Sequence, residues 1–404
     1  MTIVIVDPFS SGRHLAPMLK KCGHTTVAII SSTKLAPFYL NSLVKADFSQ
    51  IYFYDKNQNE IAKYFKNNNI DHVIAGSEPG VDLACTLSHL LGLPGHNYHN
   101  MNARRDKFKM QEAIKTSGIR AVKGCLVQRK DILAATNKDI LIPYPLVIKP
   151  LRSAGTDGVA LLKTADQLVE YFNNSAPTNN VMGEENTEFL LQEYINGTEY
   201  VVDAISVHGE HQILAVWRYN KVNFENNIIY NSMEFIPFAK TPPELLQYTK
   251  QCLTALGISF GPSHSEIFID KNGPVLCEVG ARVHGGMGPI LAKQAISFNQ
   301  IEAFVDLVCG NPIDYENRWQ VAKPKFAIEF FGCNKKPGIL KHTYQPAHPE
   351  IANFNLVNNV NEFIGKTIDL ITSPARLLVV SDDKDKVDFE LSNFRKWENE
   401  IGYT

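Results

Sequence analysis

The sequence of 404 residues has no C-x-x-C spacing, no basic block, no uninterrupted apolar run long enough to span a membrane, and no glycine-rich dinucleotide turn. Each gap removes a class of function. Cys22, Cys85, Cys125, Cys252, Cys277, Cys309 and Cys333 are odd in number and scattered, mostly within apolar runs such as "PVLCEV" and "VDLVCG". They read as reduced core thiols of a cytoplasmic protein, not as a disulfide framework or a zinc site. Forty basic residues against 42 acidic leave a net charge of −2, which gives no electrostatic reason to expect nucleic acid or a membrane surface as partner. The opening "MTIVIVD" reads as a strand and not as a leader peptide. The loop behind it, "DPFSSGR", has one glycine where G-x-G-x-x-G needs three, so a dinucleotide site is not expected there. Small-molecule chemistry remains.

What is present is ample apolar material, 44% of the chain, enough for a large core shared among two to four structural units. Over the first hundred residues "TIVIV", "TTVAII", "IYFY" and "HVIAG" alternate with helical patterns, which predicts a doubly wound parallel sheet with crossover helices. "NARRDKFKMQEAIKTSGI" reads as one amphipathic helix closed by Gly118, and "QAISFNQIEAFVDLVCG" as another. "EFLLQEYINGTEYVVDAISV" reads as strand, Asn-Gly turn, strand, with "HQILAVWRYN" and "NSMEFIP" as further strands. From 321 onward a small α+β piece is expected, ending in a charged helix. The "KNNNID" and "NNSAPTNN" tracts are taken as solvated turns.

Charged residues in apolar settings mark the candidate chemistry. Lys149 is the only charge in the buried-looking strand "YPLVIKP", and the small-residue loop "RSAGTDGV" follows it. A strand-end lysine that snorkels outward is the plain reading; a loop whose backbone N–H groups close over phosphates is the functional one. Glu78, in "HVIAGSEPG", lies just past a strand end, where it caps the next helix or meets a ligand. The sharpest signal is "SHSEIFIDKNGPVLCEVGARVHGG". A three-residue turn Lys271-Asn272-Gly273 would pair Asp270 with Pro274 and set Glu266 opposite Glu278. Like charges about 5 Å apart repel, so a cation is expected between them.

In this order, "RDKFKM", "PLVIKP", "RSAGTDGV", "LQEYINGTEY", "HSEIF" and "CEVGARVHGG" resemble the ATP-grasp superfamily, and within it the carboxylate-amine ligases that join two amino acids, the L-amino acid ligases. The resemblance implies an ATP-grasp fold of the α/β (α+β) class. Its units would be an N-terminal α/β domain (1–100), a small lid subdomain (101–190), a large subdomain carrying the hairpin (191–320) and a C-terminal α+β subdomain (321–404). It implies ATP and Mg²⁺, or Mn²⁺, as cofactors. Lys107 and Lys149 would hold the nucleotide phosphates, and the loop from Ser153 through Gly155 to Gly158 would close over the γ-phosphate. Glu193 and the Ile195 backbone would meet adenine, and Glu199 would lie near the ribose. Glu266 and Glu278 would bind the metal, while Arg282 would steady the transferred phosphate and the substrate carboxylate. Glu78, Arg282, His284 and Gly285 would form the pocket for amino acid or small carboxylate and amine substrates. A homodimer would be in keeping with the family.

Many ATP-grasp enzymes carry Glu-x-Asn-x-Arg where this chain has "EVGAR", with Gly280 at the asparagine position. The departure leaves open how a second Mg²⁺ is completed. It also admits two other readings, a nucleotide-binding module without catalysis and an ATP-grasp ligase or carboxylase for a non-amino-acid metabolite. His264 and His284 invite assignment as bases, but histidines beside apolar strands are more often structural, and a carboxylate or product phosphate could take the amine proton. His284 is therefore assigned to the substrate pocket only.

Overall fold

The structure is a computed structural model, and it describes residues 1–134, 142–224, 227–311 and 313–400. Four parallel strands form the N-terminal sheet, in the order Gln50–Phe53, Thr25–Ile30, Thr2–Val6 and His72–Ala75. Ile3, Val4, Ile5 and Val6 are fully buried, the continuous apolar run expected of a parallel strand covered on both faces. At the carboxyl edge of this sheet the loops after Val6 and Ala75 meet. A Cβ on Gly12 would lie 1.8 Å from the Gly76 carbonyl oxygen, so the lone glycine of "DPFSSGR" serves a loop-to-loop contact.

The central sheet has eight antiparallel strands. Their order is Gly273–Gly280, Phe260–Asp270, Thr198–Val207, Glu210–Phe224, Asn227–Ile236, Phe326–Phe331, Ala375–Ser381 and Ala352–Leu356. The chain beyond 321 thus extends this sheet, through Phe326–Phe331 bonded to Asn227–Ile236, and ends in the helix Lys384–Glu400. A smaller antiparallel sheet holds Gly124–Val127, Phe189–Glu193, Leu146–Pro150 and Ala160–Leu162.

Three local expectations change. The two strands around Asn196-Gly197 are no hairpin: Phe189–Glu193 belongs to the small sheet and Thr198–Val207 to the central one. The intervening residues link two sheets, and Gly197 is needed because a Cβ would lie 2.5 Å from the Ile269 carbonyl oxygen. The helix expected over 102–118 breaks at Asp106, whose Oδ1 accepts the backbone N–H of Phe108 and Lys109, both at 3.0 Å. That N-cap starts a fresh helix, Lys107–Thr116, and fixes Lys107 in its first turn. The helix expected over 294–310 divides into Gly288–Ile296 and Gln300–Val308 because Ser297 is left-handed (φ 68°) and Asn299 caps the second segment.

All seven cysteines are free thiols, but only Cys85 and Cys252 are buried; Cys22 is exposed. Among the described residues no helix is long and apolar enough to cross a membrane.

Candidate active site

Glu266 does lie opposite Glu278, by a different route from the one the turn predicts. The chain reverses over two residues, with Asp270 paired to Gly273 and Ile269 to Pro274. That register alone would set Glu266 against Cys277. A bulge at Cys277 restores the pairing, since Ile267 faces Leu276 and Glu266 faces Glu278. Its backbone groups have partners outside the ladder. Gln111 Nε2 donates to the Leu276 carbonyl at 2.9 Å, and the Leu276 N–H donates to the Tyr248 hydroxyl at 2.8 Å. Arg120 grips both Asp270 oxygens, at 2.8 and 2.7 Å, and anchors the turn. The bulge is therefore a supported feature that aims a carboxylate.

Two cavities meet at this hairpin. The first, of about 900 Å³, lies between the small sheet and the central one. Lys107, Lys149, Ser153, Gly155, Glu193, Ile195, Glu199, Glu266 and Glu278 all line it, so the structure gathers nearly every predicted nucleotide residue. Gly158 is not among them; its positive φ and its packing against Pro150 and Pro177 make it a turn residue beside the loop. Lys107 Nζ donates to the Ser153 carbonyl at 2.7 Å and lies 3.0 Å from Glu278 Oε2, tying loop to hairpin. Burial opposes its charge, but Glu278 outweighs burial and raises its pKa. Lys149 points inward rather than snorkelling, with Nζ 3.7 Å from Cys277 Sγ.

The second cavity, of about 1380 Å³, runs from the N-terminal loops across the central sheet, and Glu78, Arg282, His284 and Gly285 line it as predicted. Glu78 does not cap a helix: Oε1 is 3.3 Å from Arg105 Nε, and Oε2 is 3.1 Å from Arg282 Nε. Arg282 lines this cavity and not the first. A Cβ on Gly280 would sit 2.9 Å from Arg282 Cζ and 3.0 Å from Glu78 Oε2, so the arginine–glutamate pair fills the space an asparagine would need. Glu266 and Glu278 line both cavities.

Several buried charges escaped the sequence reading. Lys221 Nζ is 2.7 Å from Glu199 Oε1 and sits over the Tyr219 and Tyr230 rings, at 5.1 and 4.4 Å. Burial disfavours its charge, yet Glu199 and Glu266 hold it protonated. Glu199 is pushed up to about 7 by burial and the neighbouring Glu266, against the pull of Lys221. Glu266 moves down instead: Lys221 and His264 overcome its burial. Glu199 thus stands beside Lys221 while lining the first cavity.

Asp203 is 1% exposed and is engaged by Trp217 Nε1 at 2.8 Å and by His284 Nδ1 at 3.0–3.1 Å. His264 bridges Asp203 (3.6 Å) and Glu266 (3.5 Å). At the far wall Glu329 is buried and pushed up to about 7 by desolvation, which nearby Arg376 only partly offsets. Arg376 donates Nη2 to the Leu370 carbonyl at 2.8 Å and lies over Phe331, while its buried Nη1 has no hydrogen-bond partner among the described residues. An aspartate inside "YVVDAISV" was the available signal for Asp203. Glu329 and Arg376 give none, because their neighbourhood arises only when the tail joins the sheet.

Residues 142–289 match the ATP-grasp domain family. Over 401 residues the chain is 28% identical to dapdiamide A synthase of Enterobacter agglomerans, covering 94% of this chain and 92% of that protein. It is 23% identical to the L-arginine-specific L-amino acid ligase of Bacillus subtilis over 220 residues, 54% of this chain and 52% of the other. Among solved structures, the L-amino acid ligase from Bacillus licheniformis superimposes with a TM-score of 0.74 at 17% identity, covering 100% of this chain and 98% of that one. N5-carboxyaminoimidazole ribonucleotide synthetase from Thermus thermophilus superimposes at 0.66, with 14% identity and full coverage of both.

Proposed function

We infer that this chain, which carries an ATP-grasp domain and has the fold of ATP-grasp ligases, is an ATP-dependent carboxylate-amine ligase that joins amino acids through an acyl phosphate and releases ADP and phosphate. One observation carries the reading: Glu266 and Glu278, with Ala154, Gly155 and Tyr230, form the common wall of two cavities. A phosphoryl group moving from a nucleotide on one side to a carboxylate on the other must pass this wall.

A carboxylate at neutral pH is a poor electrophile, and phosphorylation gives it a leaving group. Phosphoryl transfer demands position and charge neutralisation more than covalent help. Lys107 and Lys149 bring positive charge to the nucleotide side. The Ser153–Gly155 backbone lies against the same space, where its N–H groups suit phosphate oxygens. The linker Glu193–Ile195, between the two sheets, suits the base edge.

Glu266 and Glu278 fit Mg²⁺, since their hard carboxylate oxygens lie on directly opposed strand positions and Mg²⁺ accepts a few carboxylates beside phosphates and water. When bound, it would neutralise phosphate charge. On the substrate side Arg282 is set by Glu78, its planar fork suited to the carboxylate that receives the phosphoryl group. The unspent Nη1 of Arg376 suits the carboxylate of a second amino acid.

The module without catalysis had Gly280 as its motive, and the space over Gly280 is taken by Arg282 and Glu78. A ligase for purine-type metabolites shares the fold, but the relative that spans the chain at 28% identity is dapdiamide A synthase. The test is product analysis with Mg-ATP and pairs of the common L-amino acids. ADP, phosphate and a dipeptide, formed only when both amino acids are present, are expected. AMP with pyrophosphate, or binding without turnover across the whole panel, would refute the ligase.

A further inference from the structure

We propose that Tyr219, His284 and Asp203 form a proton relay that takes the proton from the ammonium group of the amine donor. The inference rests on the ligase reading above and adds the step that reading leaves open. An amino acid at neutral pH brings its nitrogen as an ammonium, which has no lone pair with which to attack. A base must reach it inside the substrate cavity.

The three side chains stand in line. Asp203 lies at the buried end, held by Trp217 Nε1 at 2.8 Å. His284 Nδ1 faces both Asp203 oxygens, at 3.0 and 3.1 Å, which assigns the proton to Nδ1 and leaves a lone pair on Nε2. That Nε2 is 3.3 Å from the Tyr219 hydroxyl. Tyr219 and His284 line the substrate cavity together with Glu266, Glu278 and Arg282. Burial holds the Tyr219 phenol well above its usual range, so it enters as a hydroxyl and passes protons without becoming a stable phenolate.

The backbone that carries the imidazole is held in place. Gln300 Oε1 accepts the His284 backbone N–H at 2.7 Å, while Gln300 Nε2 donates to the carbonyls of Ala204 (3.0 Å) and Ser263 (2.7 Å). Ser11 Oγ donates to the His284 carbonyl. A Cβ on Gly288 would lie 2.7 Å from His284 Nδ1, so the ring occupies space that only a glycine leaves open. Such fixation is what a preorganised base needs.

In the step itself, one ammonium proton moves to Tyr219 Oη as the Tyr219 proton moves to His284 Nε2. The freed electron pair forms the C–N bond to the acyl carbon, and the C–O bond to phosphate breaks with its electrons on the leaving group. The second nitrogen proton departs with that phosphate. Asp203, a positioning residue, balances the imidazolium until its proton returns to solvent. The charged and titratable groups facing the ring are Asp203 and Tyr219 on their strands, His264 stacked at 4.1 Å, and Arg282 two residues before it. Asp203, His264 and His284 also bring three ligand-type atoms within 4.8 Å of one another. Both Nδ1 atoms approach the same Asp203 oxygen, at 3.6 Å from His264 and 3.0 Å from His284, so a bound metal ion is the rival occupant that the experiment must exclude.

The experiment compares two nucleophiles. Hydroxylamine is unprotonated at neutral pH and needs no base. With Mg-ATP and whichever amino acid pair wild-type protein turns over fastest, His284→Asn and Tyr219→Phe should cut dipeptide formation by about 100-fold while hydroxamate formation falls by less than about fivefold. In His284→Asn the residual dipeptide rate should climb about tenfold per pH unit from 7 to 9, tracking the free amine. Hydroxamate formation also certifies that each variant folds. Equal loss with both nucleophiles, or no loss with either, overturns the relay. So does one firmly bound zinc per chain whose removal abolishes dipeptide formation. If wild-type protein makes no hydroxamate from any amino acid, the ligase reading falls and takes the relay with it.

Discussion

Arg282 lies over the backbone of Gly280 so closely that a Cβ there would come within 2.9 Å of its Cζ. The missing side chain is thus the condition for the arginine's position, and Glu78 Oε2, which a Cβ there would also meet at 3.0 Å, holds its Nε at 3.1 Å. An asparagine at this place would compete with the arginine for one volume. Gly280→Ala and Gly280→Asn should therefore fold, because the atoms met belong to flexible side-chain ends, and should lose kcat by about 10- to 100-fold. KM for ATP should change less than twofold or so. ADP release followed at saturating amino acids measures both, and wild-type kcat in Gly280→Asn would mean that Arg282 does not need this position.

The opposed pair Glu266 and Glu278 makes a separate demand. If the hairpin holds Mg²⁺ beside the nucleotide, Mg-ADP should raise the melting temperature of wild-type protein and not of Glu278→Gln. The same variant should lose turnover by at least about 100-fold. Lys107 would keep its bond to the Ser153 carbonyl, so the loop should stay in place. A full Mg-ADP shift in Glu278→Gln, read by differential scanning fluorimetry, would remove this carboxylate from the metal site.

The hairpin also shows what was legible in the sequence and what was not. The facing glutamates were read correctly although the turn was one residue too long, because the unseen bulge at Cys277 shifts the strand back by the same amount. That bulge depends on Gln111 and Tyr248, more than 25 residues away, so no local signal could place it. The parallel sheet was legible because its inner strands, Thr2–Val6 and Thr25–Ile30, are buried on both faces. The split of the helix at Asp106 was readable from its capping position, yet helical periodicity on both sides hid it. Hardest were side chains that meet through sheet order alone. Tyr219 pairs with Met233, and Met233 pairs with Glu329, across three strands spanning more than a hundred residues. Strand order, not spacing, makes that row.

Arg376 lines the same cavity as Arg282 and has a buried Nη1 without a hydrogen-bond partner among the described residues. It is stacked on Phe331, so its plane is fixed before any ligand arrives. Arg376→Met retains the stem and removes the donors. The expected result is a rise of about 10- to 100-fold in KM for the amino acid that supplies the amine, with KM for ATP unchanged. Separate titrations of the two amino acids at fixed ATP decide the matter; unchanged KM values for both would leave Arg376 a structural role only.

Glu329 links that guanidinium to pH. Burial raises its carboxyl from 4.5 to about 7, with Arg376 pulling the other way. Between those values the folded protein keeps a proton that the unfolded chain has lost, so the folded state binds more protons and stability falls as pH rises through this window. Above about pH 7 the loss is complete. Glu329→Gln imitates the protonated form and should abolish this slope. Denaturant unfolding at about pH 4 should then find the variant and wild-type protein alike, whereas at pH 8 the variant should be more stable, by up to about 3 kcal/mol. While Glu329 is protonated, it leaves the charge of Arg376 uncancelled. An equal difference in stability at both pH values would show that Glu329 is ionised throughout, and the free charge assigned to Arg376 would then be quenched by its neighbour.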